Sequence, residues 1–305
     1  MSKVLLAGGT GLVGSRLSQI LTEQGYQVIH LSRRKNKNNT YPTFLWDTDK
    51  NFIDERVFDQ VSYVINLAGA GIADALWTKT RKKLIIDSRV QTTALLTSYL
   101  SKMKNPPKAF ISAAAIGIYG NRGDEILTEA SSVGTKGFLV KSCKQWETAI
   151  HEADKENNTR TVAFRIGIVL STRGGALAKM LLPLKFFAAS YFGSGQQWYS
   201  WIHIDDLCRM FIMAMEDDRM KGFYNATSPN PITNKEMTKQ MVKTLGKRAL
   251  VLPAPESTLR LGMGEMADVV LNSNRILPEK IAKVGFRFEY PDFPEALKDL
   301  VARKI

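Results

Sequence analysis

Residues 7–14 read Ala7-Gly8-Gly9-Thr10-Gly11-Leu12-Val13-Gly14, a glycine spacing that wraps backbone around a pyrophosphate. Gly8 permits a tight turn after a buried strand. Gly11 lets amide N–H groups approach phosphate oxygens, and Gly14 lets the following helix pack close to the strand. That helix, opening at Leu12 and Val13, offers free N–H donors and partial positive charge to an anion. A second signal ends the next strand. An acid about 20 residues beyond the glycines would grip a ribose 2′-hydroxyl, but Ser32-Arg33-Arg34 stands there. A hydroxyl and two guanidiniums suit a 2′-phosphate, which a carboxylate would repel. The expectation is NADP(H); the alternative is a solvated basic loop.

Fewer residues offer proton chemistry. Ser112 and Tyr119 fall at the carboxyl end of a buried strand, the edge where open α/β sheets bind ligands. His203 follows Trp201 in a segment where an imidazole can exchange a proton near neutrality. The bland alternatives are a Tyr119 that stacks, a Trp201 in the core and a structural His203. Asp205-Asp206 opens an apolar helical stretch, which suits an N-cap with first-turn charge better than paired catalytic carboxylates. Arg165-Ile166-Gly167 and Gly193-Ser194-Gly195-Gln196-Gln197 either touch an anionic substrate or simply turn. Cys143 and Cys208 are the only cysteines, with no Cys/His cluster for zinc; no metal site is expected.

The elements that must position these groups alternate short apolar runs with helical periods, the pattern of a doubly wound parallel sheet. Strands are expected at Lys3–Ala7, Gln27–Leu31, Thr43–Trp46, Ser62–Leu67, Ala109–Ala113, Thr161–Ile166 and Gly222–Ala226. Helices are expected at Leu12–Gln24, Thr78–Met103, Thr135–Lys155, Ala176–Phe187, Ile204–Met215 and Thr233–Leu245. Pro253 and Pro255 mark a boundary, so residues 1–250 form the Rossmann part, with 170–200 on its substrate side, and 251–305 a small α-rich C-terminal region. Met180, Met210, Met213, Met215, Met263 and Met266 fall at helical spacings as core filler.

The chain has 305 residues, 44% of them apolar and 23% charged, which excludes disorder, collagen and coiled coil as descriptions of the whole. Lys3 and the apolar run after it loosely imitate a secretory signal, but the glycine turn explains that run better. Phe186–Ile204 is too polar for a bilayer span. The net charge of +13 is spread along the sequence; its densest run, Arg33-Arg34-Lys35-Asn36-Lys37, has no nucleic-acid-binding motif beside it. A cytoplasmic protein with a small-molecule substrate, no nucleic-acid or membrane partner, and a homodimer by fold analogy is expected.

Asn66-Leu67-Ala68-Gly69 and Tyr119-Gly120, taken with the glycine turn, resemble the extended short-chain dehydrogenase/reductases. Trp46-Asp47, Trp77-Thr78, Ser88-Arg89-Val90, Ile116-Gly117-Ile118-Tyr119-Gly120, Ser200-Trp201-Ile202-His203-Ile204-Asp205-Asp206, Leu277-Pro278-Glu279-Lys280 and Gly285-Phe286 narrow this. They resemble the sugar-nucleotide-epimerase-like family, labelled "NAD-dependent epimerase/dehydratase" or "cell division inhibitor", with its C-terminal domain of unknown function. The resemblance implies a Rossmann domain binding NADP(H) and a smaller C-terminal substrate-binding region. By position, Asp47 would accept from the adenine amino group or serve as a turn residue. Leu67, Ala68 and Gly69 would line the ribose and diphosphate, with Ser112 nearby. Arg89 would approach the cofactor, or be a surface cation.

The superfamily's chemistry uses a Tyr acid/base with a Lys four residues on, plus a polarising Ser or Thr. Those positions here are Leu139 and Cys143, which continue through Trp146, Ile150 and Ala153 as an apolar helical stripe. The second Ser of the usual Ser-Ala-Ser-Ala is Ala114, Ile118 replaces a usual Tyr, and Leu76 a common Arg. The expected function is an NADP(H)-dependent oxidoreductase or epimerase-like protein of atypical mechanism; the alternative is a non-catalytic NADP(H) sensor.

Overall fold

The computed structural model describes residues 2–34, 40–156 and 159–303. Lys35-Asn36-Lys37 of the basic run lies outside these residues.

Eight strands form one sheet: β1 Lys3–Ala7, β2 Gln27–Ser32, β3 Thr43–Asp47, β4 Phe52–Ile53, β5 Val61–Asn66, β6 Ala109–Ala115, β7 Arg160–Ile166 and β8 Gly222–Ala226. Their order across the sheet is β8-β7-β6-β5-β1-β2-β3-β4. All neighbours are parallel except the β3–β4 hairpin. Both faces are covered, so β1 reads as an unbroken apolar run rather than an alternating one. Val4 and Leu6 enter the core with helices α1 (Leu12–Glu23) and α5 (Ile204–Glu216). Leu5 and Ala7 face the other way, towards Leu95, Leu96 and Leu100 of α2 (Lys79–Leu100) and Ala153 of α3 (Phe138–Glu156).

Chain direction across the sheet reverses between β1 and β5. β2 lies on one side of β1, whereas β5 and β6 lie on the other. The crevice outside the carboxyl ends of these two strands is where open α/β sheets take their ligands.

Several element ends depart from expectation, among them α2, which stops at Leu100 rather than Met103, and three others have a visible reason or consequence. α3 begins at Phe138 rather than Thr135, because Gly137 holds φ at +93° just before it. The helix expected over Ala176–Phe187 stops at Leu181: α4 spans Gly175–Leu181, and Pro183, which has no N–H to donate, turns the chain into a 3₁₀ turn over Pro183–Phe186. β6 runs on to Ala115, two residues past the expected end.

Short strand pairs build the second lobe. Ile168–Leu170 runs parallel to Trp201–His203, and Ala188–Phe192 runs parallel to Leu250–Ala254. Thr233 accepts from Glu236 N and caps α6, Asn234–Thr244. The C-terminal helix Phe293–Arg303 buries Phe293, Ala296, Leu297 and Leu300 in the core shared with α1 and α5. Asp206 fastens that segment by accepting from the backbone N–H groups of Glu289 and Tyr290, both at 3.1 Å.

Candidate dinucleotide site

Gly8 sits at φ +83°, and a Cβ there would lie 2.8 Å from the Leu67 carbonyl carbon. A Cβ on Gly14 would lie 2.3 Å from Gly8 O, so α1 rests on the turn itself. Only glycine allows either approach. Gly11 is the N-cap of α1, with no side chain closing the helix end and no acid in the first turn. The first N–H groups of α1 therefore remain available to an anion, beside the exposed Thr10 and Gly11 and the half-buried Leu12 and Val13. Below the turn, Ser18 donates to Gly14 O at 2.7 Å and lies 2.8 Å from His30 Nε2. Burial pushes the His30 imidazole down to about 4.

The opposite wall follows β5. Leu67 N–H donates to Ala7 O, Ala68 N–H to Asn66 Oδ1, and Ala70 N–H to Ser88 Oγ. Asn66 Nδ2 in turn donates to Thr93 Oγ1 on α2. These bonds hold Leu67, Ala68 and Gly69 against the glycine turn. Arg89 reaches in from α2, donating from Nη1 to Ala70 O (3.0 Å) and Ile85 O (2.9 Å), its guanidinium 5.1 Å from the Trp146 ring. Among the described residues no carboxylate lies within ion-pair distance of it, and burial lowers its affinity for a proton. It is a half-buried cation, not a surface one, and among the described residues its Nε and Nη2 have no hydrogen-bond partner.

At the far end of the crevice Ser32 closes β2, and its Oγ accepts from Arg34 N at 3.3 Å. Arg33 and Arg34 are exposed, and no described carboxylate pairs with either. Asp47, at the end of β3, accepts from Asp49 N and Lys50 N and lies 3.7 Å from Lys50 Nζ. It shapes a turn there.

The three proton-transfer candidates are not brought together. Ser112 lies inside β6 rather than at its end, because the strand continues to Ala115; it is fully buried and bonds the Ala113 carbonyl. Tyr119 is fully buried too. Its hydroxyl lies 2.8 Å from Asn225 Oδ1 and 3.1 Å from Thr128 O, and accepts from Arg165 Nη1 at 2.9 Å. Burial raises its pKa, outweighing the opposing pull of Arg165 and Asn225. Arg165, considered for an anionic substrate, is held instead by a bidentate pair with buried Glu147, both contacts at 2.8 Å.

His203 is a structural cap. Its Nδ1 accepts from Asp205 N, its ring stacks on Tyr290 at 3.9 Å, and burial lowers its pKa. The cap expected from Asp205-Asp206 thus belongs to His203, while both acids sit in the first turn. Asp205 takes a bidentate contact from Arg16 on α1; burial opposes its ionisation, but Arg16 outweighs that and keeps the carboxyl low. Trp201 is core, its Nε1 donating to Asn230 O. Gly193 and Gly195, both at positive φ, make a turn.

What lines the carboxyl ends of β5, β6 and β7 is apolar. Leu67, Ala115 and Ile166 pack over Ala113, Ala114 and Trp146. Cys143 lies beside them, and burial pushes its thiol up to about 12. Neither Arg89 over Trp146 nor the hydrogen bonds of Asn66 and Ser88 had a signal in composition or spacing. Among the described residues no group of His, Cys, Asp and Glu could hold a metal ion, and no helix is long and apolar enough to cross a membrane.

A glycine turn under an uncapped helix, at the reversal point of a parallel sheet, defines an extended short-chain dehydrogenase/reductase of Rossmann fold. The sequence profile of the NAD dependent epimerase/dehydratase family matches residues 4–226, and the chain belongs to that family. A second profile, a domain of unknown function called DUF1731, matches residues 254–300. The chain is 36% identical over 303 residues to the epimerase family protein YfhF of Bacillus subtilis, covering 98% of each. Among solved structures it is similar to human epimerase family protein SDR39U1, determined with NADPH (TM-score 0.88, 29% identity, 98% of this chain and 99% of that one). It is also similar to the nucleoside-diphosphate sugar epimerase of Corynebacterium glutamicum (TM-score 0.79, 31% identity, 99% of this chain and 58% of that one).

Proposed function

We propose that this chain binds NADP(H) in the crevice between β1 and β5 and acts as an oxidoreductase on a small or nucleotide-linked substrate, without a Tyr/Lys acid–base pair. The observation that carries the cofactor choice is the exposed Arg33-Arg34 pair after Ser32, free of any described carboxylate and beside an open helix end. The cradle also fits the group: no side chain closes the N-terminus of α1 and no acid stands in its first turn, so its N–H groups are open to a diphosphate. The NADPH bound by human SDR39U1 supports the same choice. When bound, the reduced nicotinamide would supply a hydride.

Gly8, Thr10, Gly11, Leu12, Val13 and Gly14 would hold the diphosphate through backbone N–H groups. Ser32, Arg33 and Arg34 would hold the 2′-phosphate, and Asp47 Oδ2, which makes only the exposed ion pair with Lys50, would accept from the adenine. Leu67, Ala68 and Gly69 would line the ribose, with Arg89 donating to a sugar or phosphate oxygen. The apolar floor of Ala114, Ala115 and Ile166 would exclude water from the reacting face. The lobe built on Ala188–Phe192 and Leu250–Ala254 would close the substrate side.

One observation favours a second reading, a non-catalytic NADP(H) sensor: the hydroxyls of Ser112 and Tyr119 and the ring of His203 are all committed to the scaffold. NADPH consumption with panels of aldehydes, ketones and nucleotide sugars separates the two. Steady turnover of any substrate supports the oxidoreductase; tight NADPH binding with no turnover across the panel supports the sensor. Failure to bind either pyridine nucleotide in equilibrium dialysis refutes both.

A further inference from the structure

The second lobe carries a surface that neither the cofactor site nor the core accounts for. Leu182, Phe186, Phe187, Leu250 and Leu252 are 55%, 75%, 70%, 71% and 53% exposed. They belong together: Leu250 N–H donates to Phe187 O at 2.9 Å, and Ala188 and Ser190 pair with Leu250 and Leu252 in parallel register. Leu250 and Leu252 stand two apart on a strand and so share its outer face. Phe187 sits at φ +56°, a left-handed conformation uncommon for a bulky residue, and it presents its ring to solvent.

The two segments that meet at this patch carry charge of one sign, with acids only beyond their ends, at Glu236 and Glu256. Residues 174–192 and 237–255, the two segments that meet here, contain no Asp or Glu. They carry Lys179, Lys185, Lys239, Lys243, Lys247 and Arg248, all exposed. Among the described residues none of these six cations has an ion-pair partner, although many of the chain's other basic residues do.

We infer that this face docks on an anionic lipid surface, with Phe186, Phe187 and the three leucines entering the headgroup boundary and the six cations meeting lipid phosphates. Protruding apolar side chains ringed by Lys and Arg are what a bilayer interface holds, and partition grows with both terms. A single-stranded nucleic acid would instead call for stacking aromatics, and three of the five apolar groups are leucines. A protein interface would carry fewer lysines around its apolar centre. The expectation of no membrane partner weighed only the hydropathy of possible spans; this surface becomes visible once two distant segments are paired. α4 begins against Leu12 of the glycine turn, so the docked face lies one short helix from the dinucleotide crevice.

The test is flotation of the full chain with vesicles of phosphatidylcholine alone and of phosphatidylcholine mixed with phosphatidylglycerol, at low and physiological salt. The expected result is partition to the mixed vesicles, little to the neutral ones. Lys247→Gln with Arg248→Gln should weaken partition roughly twenty-five-fold, about fivefold per cation removed. Phe186→Ser with Phe187→Ser should weaken it by roughly tenfold or more. Both variants should keep wild-type NADPH affinity and thermal stability, since every changed side chain is exposed. The inference is overturned by absence of partition to the mixed vesicles at low salt. It is equally overturned if the Phe pair has no effect, which would mean charge adsorption alone. So would a Phe-dependent dimer in light scattering, or a single-stranded oligonucleotide that binds through the same residues in preference to vesicles. Flotation itself needs no cofactor, so partition is read independently of the proposed oxidoreductase activity.

Discussion

Replacing Arg33 and Arg34 together with alanine probes the cofactor assignment most directly. Both side chains are exposed at the end of β2, and no described carboxylate pairs with either. Their loss therefore removes no internal ion pair, and folding stability should stay within about 0.5 kcal/mol of wild type. The effect on binding is different. A charge-assisted hydrogen bond is worth about 1.5–3 kcal/mol, and exposure to solvent places each guanidinium at the lower end of that range. The pair then contributes about 3 kcal/mol towards a 2′-phosphate, a hundredfold or more in Kd. NADH lacks that phosphate, so its Kd should move by less than about twofold. Isothermal titration of both nucleotides into wild type and variant measures all four constants. The NADPH advantage should also shrink as salt rises, because these charges are screened. Equal weakening of the two nucleotides, or wild-type preference for NADH, would refute the assignment.

Three further outcomes follow from the same geometry. Gly14→Ala places a Cβ against Gly8 O, so it should abolish binding of both nucleotides and cost about 1–3 kcal/mol in denaturant unfolding; retained NADPH affinity would show that the turn is not the cradle. His30 titrates near 4 when folded and near 6.5 when unfolded, so between these values the unfolded chain binds more protons. Its contribution is complete above about pH 6.5 and is lost as pH falls towards 4, on the order of 3 kcal/mol, and His30→Asn should flatten that part of the stability profile. Tyr119→Phe should cost about 1–3 kcal/mol by leaving Arg165 and Asn225 short of a partner, with any turnover per folded molecule unchanged; a loss of turnover at unchanged stability would return Tyr119 to the reacting groups.

Much of the Rossmann part was legible because the central strands are buried on both faces. Lys3–Ala7 and Gly222–Ala226 match residue for residue; for the first, the unbroken apolar run Val4–Ala7 bounded by Lys3 and Gly8 leaves little choice of ends. The turn was legible for a related reason: Gly14 is required by contacts with Gly8 and Gly9 and Gly8 by its own positive φ, so the motif and its geometry coincide, although Gly8 also meets the distant Leu67 carbonyl. What escaped was non-local. The short parallel pair Ala188–Phe192 with Leu250–Ala254 depends on contacts far apart in the chain, and neither segment alternates cleanly. Ser112 was misplaced because Ala113, Ala114 and Ala115 carry no signal that says where a strand stops.

The misreading of Tyr119 and Arg165 has a deeper cause. A tyrosine and an arginine near the carboxyl ends of adjacent strands look alike in sequence whether they face a substrate or one another. Here Glu147 decides: a buried carboxylate opposite Arg165 fixes the guanidinium, and the guanidinium then takes the tyrosine hydroxyl. Removing one partner from such a cluster strands a buried charge at a cost of about 3–5 kcal/mol, so the cluster is kept whole by folding alone. With those groups spent, Arg89 is the cation left over the apolar floor. An arginine remains protonated at any physiological pH even when burial lowers its pKa, so it can orient and polarise an oxygen but cannot give up a proton. With Ser112, Tyr119 and His203 held by the scaffold, the reaction proposed for this crevice would draw its proton from the substrate itself or from water beside Arg89, so its rate should not depend on a hydroxyl or imidazole among those three residues.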